Sequence, residues 1–72
     1  MRIEELKPFL DRTVTLRMTN GEVAKIKVNF IDEDDGEIFA AVLETSIPEN
    51  YRHACAVHTF AAAEILSAEL SE

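Results

Sequence analysis

A period of two runs through Thr13–Asp32, and it limits what this chain can fold into more than any other feature. Val14, Leu16 and Met18 alternate with Thr13, Thr15, Arg17 and Thr19. After Asn20-Gly21, Ala24, Ile26, Val28 and Phe30 alternate with Val23, Lys25, Lys27, Asn29 and Ile31. Side chains along a strand point to opposite faces in turn, so the pattern describes two strands that each bury one face. Parity then selects the turn. A two-residue Asn20-Gly21 loop sets Leu16 opposite Lys25, and directly opposed residues share a face, so lysine would crowd the apolar side. A three-residue Thr19-Asn20-Gly21 loop pairs Val14 with Ile26, Leu16 with Ala24 and Met18 with Glu22. It also places Gly21 where a type I turn plus bulge needs a left-handed residue.

The 72 residues leave room for one domain, residues 1–72 with a single core. A domain of this size buries only about 60% of the surface its unfolded chain exposes, so association is an expected source of added stability. Cys55 is the one cysteine, which excludes an intrachain disulfide and fits a reducing compartment. No long apolar run reads as a membrane span, and Met1-Arg2-Ile3-Glu4-Glu5 is too acidic for a signal peptide, so a cytoplasmic location is expected. Fourteen carboxylates against seven cations give a net charge of −7. Such a field repels phosphate backbones unless the cations gather on one face. Arg17, Lys25 and Lys27 do share the outer face of the hairpin, as a small basic stripe on a solvated sheet.

Met1–Arg12 reads as a short amphipathic helix, with Ile3, Leu6 and Leu10 at helical spacing and Phe9 beside them. Pro8 lacks a backbone donor and either delays or kinks that helix, which is expected to lid one end of the sheet. Asp32-Glu33-Asp34-Asp35-Gly36-Glu37 holds five carboxylates in six residues. Calcium takes such oxygen ligands, but an EF-hand needs a loop of about twelve residues between helices. Here strand patterns flank the run, so it reads as a solvated turn.

Ile38, Ala40 and Val42 alternate with Phe39, Ala41 and Leu43, a strand apolar on both faces that must be covered on both. Ile38, Phe39, Val42 and Leu43, with Val57 of the following strand, are the candidate assembly residues. Glu44–Arg52 reads as a loop in which Ile47 and Tyr51 cap the core or meet a partner. His53–Phe60 reads as a further strand. Its His53-x-Cys55-x-x-His58 spacing resembles a zinc fragment, but alternation sends His53 and Cys55 to one face and His58 to the other, and no fourth ligand is at hand in a monomer. The same alternation separates Cys55 from His58 as a nucleophile and base. No metal, cofactor or catalytic residue is therefore assigned. The tail stays open between two forms. Ala61-Ala62-Ala63-Glu64 and Ala68-Glu69-Leu70 favour helix, whereas Ile65, Ser67 and Glu69 alternate with Leu66, Ala68 and Leu70 as in a strand after a tight turn.

The order of elements, with Phe9-Leu10, Val14-Thr15-Leu16, Asn20-Gly21 and Phe30-Ile31-Asp32, resembles the Sm-like family, and Phe60, Ile65 and Ser67 are similar to its last strands. The resemblance implies a mainly β fold: a small five-stranded SH3-like barrel with a short N-terminal helix and a closing strand in the tail. It also implies a ring of subunits joined edge to edge that binds uridine-rich RNA around its pore, with Asp32 as the pore residue. The chain departs from the pattern at the base-holding positions. Gly36 or Glu37 stands where the family has an asparagine, and Thr59–Glu64 lacks the arginine-glycine or lysine-histidine element. The reading that follows is a non-catalytic module that forms a homo-oligomer through strand edges and binds a protein or peptide partner. One alternative is an RNA binder contacting phosphates through Arg17, Lys25 and Lys27, with Asp32 at the pore; another is an α+β domain with a C-terminal helix.

Overall fold

The computed structural model describes residues 1–50 and 57–71. A four-residue helix, α1 (Ile3–Leu6), precedes strands β1 (Thr13–Met18), β2 (Val23–Asp32), β3 (Glu37–Thr45), β4 (Val57–Ala61) and β5 (Ile65–Leu70). The five strands form one antiparallel sheet in the order β4-β3-β2-β1-β5. The fold is thus mainly β. The tail adopts the turn-and-strand form, with a three-residue 3-10 turn, Ala62–Glu64, leading into β5. Helix propensity in the alanine run yields to the ladder that β5 forms with β1.

The β1–β2 register matches the parity argument. Val14 pairs with Ile26 and Leu16 with Ala24. Gly21 takes φ +92°, and its N–H donates to Met18 O at 3.1 Å while Met18 N–H donates to Glu22 O at 2.9 Å. Leu6, Val14, Leu16, Ala24, Ile26, Val28, Ile38, Ala40, Val42, Phe60 and Ile65 are buried together in one core.

Alternation along β2 fails beyond Val28. The ladder between β2 and β3 slips between Val28 and Phe30, so Phe30 pairs with Phe39 and Ile31 with Ile38. An extra residue in one strand inverts the facing of everything after it. Phe30, expected on the apolar face, is consequently 57% exposed, and Ile31 packs on the core in its place. A second slip, between Lys25 and Ile26, leaves Leu43 outside the ladder pairs.

The sheet curls strongly, and chain length dictates it. In a flat five-stranded sheet the outermost strands lie about 19 Å apart. Here β4 and β5 occupy opposite ends of the strand order, yet only Ala62–Glu64 joins them, and a 3-10 turn of that length covers about 6 to 8 Å. Hydrogen bonds fasten the turn at both sides, from Ala62 N–H to Gly36 O at 2.8 Å and from Thr19 N–H to Glu64 O at 2.8 Å. The core fills the concave side.

The N-terminal segment is shorter as a helix than its apolar spacing predicts. α1 stops at Leu6, and Lys7–Phe9 continues as a 3-10 turn with Pro8 in it, because proline removes the donor an α-helix needs there. Leu6 is buried and Met1, Ile3 and Phe9 pack on the core, so the segment does cover part of the sheet. Leu10, past the helix end, is 45% exposed rather than part of an apolar stripe. Asp11 N–H donates to Val28 O at 2.8 Å and Val28 N–H to Arg12 O at 3.1 Å, fixing the segment against β2.

Candidate interaction surfaces

Three surfaces collect the residues with functional potential: the outer sheet face, the β2–β3 turn, and the two edge strands. On the outer face, register decides which charges meet. Lys25 stands between Thr15 of β1 and Glu44 of β3, and Thr15 in turn pairs with Glu69 of β5. Lys27 pairs with Thr13 and Ala41, and Arg17 with Val23 and Ser67. The three cations share the outer face, and two carboxylates flank them in the row of Lys25, Glu44 directly beside it and Glu69 beyond Thr15.

Asp32 lies at the far end of β2, where it pairs with Glu37. It stands seven positions beyond Lys25, about 23 Å along a strand at about 3.3 Å per residue. The fold therefore does not bring Asp32 together with the cations. In the turn itself, Asp32 Oδ1 accepts the Asp35 N–H at 3.2 Å, and carboxylate oxygens of Asp32, Asp35 and Glu37 lie within 4.8 Å of one another. Asp35 is exposed and the other two are half-buried, consistent with a solvated turn. Next to it, the ammonium of Lys7 forms an ion pair with Glu33. The hydrogen bond to Glu33, and then its charge, hold the Lys7 ammonium above the ordinary lysine value; desolvation opposes this and Glu4 adds to it.

The candidate assembly residues divide by face. Ile38 and Val42 point into the core, whereas Phe39 is half-buried and Leu43 and Val57 are exposed. Phe39 meets Phe30 on the outer side, with ring centroids 5.7 Å apart and planes tilted by 46°. The strand order makes β4 and β5 the two sheet edges, each paired on one side only among the described residues. Their exposed side chains include Val57 at 56%, Leu66 at 64% and Leu70 at 54%. Leu66 sits at the slip in the β1–β5 ladder, where Arg17 pairs with Ser67 and Met18 with Ile65. Sequence reasoning did not single out Leu66 and Leu70, because the tail was open between helix and strand. The signal was present all the same: Ile65–Leu70 contains no lysine and no proline.

His58 pairs with Ala40 on the inner face of β4, opposite in facing to Val57 and Thr59. His53, Cys55 and Tyr51 lie outside the described residues, as does the first half of the expected His53–Phe60 strand. No helix among the described residues is long and apolar enough to cross a membrane. Comparison of the chain with family models, with curated proteins and with solved structures gives no match.

Proposed function

We propose that the chain is a non-catalytic Sm-like module: an SH3-like barrel that self-assembles through its edge strands into a homo-oligomer and binds a protein or peptide partner. The observation that carries this reading is the chemistry of the two edges. A sheet edge offers a row of backbone donors and acceptors to any passing strand, and monomeric proteins blunt such edges with lysine, proline or a covering loop. β4 reads Val-His-Thr-Phe-Ala and β5 reads Ile-Leu-Ser-Ala-Glu-Leu, with one charge and no proline between them. Edges of this kind suit pairing with a second strand, where the ladder supplies backbone hydrogen bonds and the exposed Val57, Leu66 and Leu70 supply apolar area. The curl of the sheet and the order β4-β3-β2-β1-β5 support the barrel.

Light scattering after size exclusion tests the assembly. At micromolar concentration the expected mass is a multiple of the 8.1 kDa chain. Leu66→Lys places a charge on the β5 edge at an already exposed position, so it is expected to lower the mass to that of a single chain while leaving the circular dichroism of the sheet intact. A monomer mass for the unaltered protein sinks the proposal.

A further inference from the structure

Glu22 is the buried charged residue of the described chain, only 5% exposed, and nothing in the proposed assembly uses it. It follows Gly21 at the hairpin tip with its side chain on the core side, and its carboxylate accepts a hydrogen bond from the Thr45 hydroxyl at the end of β3. The same Thr45 Oγ1 accepts the Ile47 N–H at 3.2 Å. A hydroxyl has one proton to donate, so giving it to Glu22 leaves the Thr45 lone pairs for Ile47. The result is a directed relay from Ile47 N–H through Thr45 O–H to Glu22 Oε2, in which each bond polarises the next. Val23 and Ser46 brace it from the side: Val23 N–H donates to Ser46 Oγ at 3.0 Å, and Ser46 N–H donates to Val23 O at 2.9 Å. Asn20 Oδ1 accepts the Glu22 N–H at 2.9 Å and holds the residue in place from the turn.

We infer that Glu22 and Thr45 form a part-buried latch that locks the chain leaving β3 onto the β1–β2 hairpin tip, so that residues 45–47 open and close as one unit under the control of Glu22. The inference stands apart from the assembly reading, because it concerns contacts within one chain. Glu22 acts here as a positioning residue. Its carboxylate orients the Thr45 hydroxyl, which in turn fixes the backbone direction toward Pro48.

Amide hydrogen exchange under native conditions reads the latch directly. In Glu22→Ala, the amides of Val23, Ser46 and Ile47 are expected to exchange about tenfold faster or more, together, since a hydrogen bond to a charged group is worth about that factor. Amides in the middle of β1 and β2 should keep their protection. Glu22→Gln retains an acceptor oxygen and should recover much of the lost protection at Ile47. Thr45→Val removes both bonds of the relay and should match Glu22→Ala, with the double variant no faster than either single one. If Glu22→Ala does not fold, Thr45→Val and Glu22→Gln still carry the comparison. Unchanged exchange at Ser46 and Ile47 in the variants that fold, or additive effects in the double variant, overturns the latch.

Discussion

At the residue scale, Gly21 and Lys7 make the sharpest claims. Gly21 sits at φ +92°, and a Cβ built on it would meet nothing within 4 Å, so any cost of substitution comes from the backbone and not from crowding. Gly21→Ala is expected to lose about 1 to 2 kcal/mol of unfolding free energy in a denaturant titration, and Gly21→Asn less, because asparagine tolerates the left-handed region. Lys7 predicts a pH effect of known sign. Glu33 raises its folded-state pKa above the 10.5 of the free side chain, so the pair contributes fully below pH 10.5 and the contribution is lost as pH rises through the raised folded value. Because Lys7 is at the surface, the effect on stability is small and salt-screened. An NMR titration of Lys7 Nζ is expected to give a midpoint above 10.5 that falls back in Glu33→Gln. A Lys7 midpoint indifferent to Glu33→Gln contradicts the pair.

At the scale of elements, the β1–β2 hairpin was legible residue by residue, because parity of facing leaves one register that keeps Lys25 off the apolar side. The same reasoning misplaced Phe30. A bulge leaves no mark in an alternating run of apolar and polar residues when an apolar residue stands on both sides of it, and here Phe30 and Ile31 are adjacent. The consequence is measurable. Ile38→Ala, at a fully buried position, is expected to cost about 2 to 5 kcal/mol. Phe30→Thr should cost less than about 1.5 kcal/mol, because the ring loses little beyond its contact with Phe39. Losses of equal size in the two variants would place Phe30 in the core after all. The tail was undecidable locally because alanine favours helix in isolation, whereas β5 gains its hydrogen bonds from β1, some fifty residues earlier in the chain. Pairing partners so distant in sequence are invisible to any short window.

For the whole molecule, charge bears on the choice between a protein-binding module and an RNA binder. Seven negative charges in excess set up a field that opposes polyanions, and the local arrangement does not reverse it. Arg17, Lys25 and Lys27 share one face, but strand order brings Glu44 and Glu69 into the row of Lys25 from β3 and β5. Which strands flank a hairpin depends on topology, and hairpin residues alone do not encode it. Phosphate binding draws on counterion release, which scales with the number of cations brought against the backbone. Three cations flanked by two carboxylates supply little of it. Fluorescence anisotropy with a labelled uridine-rich oligonucleotide is therefore expected to show no binding even at low ionic strength. Lys25→Gln and Lys27→Gln should leave that result unchanged. Binding that appears at low salt, weakens steeply as salt rises and falls in those variants would make the cationic row a nucleic-acid contact and leave the protein-module reading incomplete.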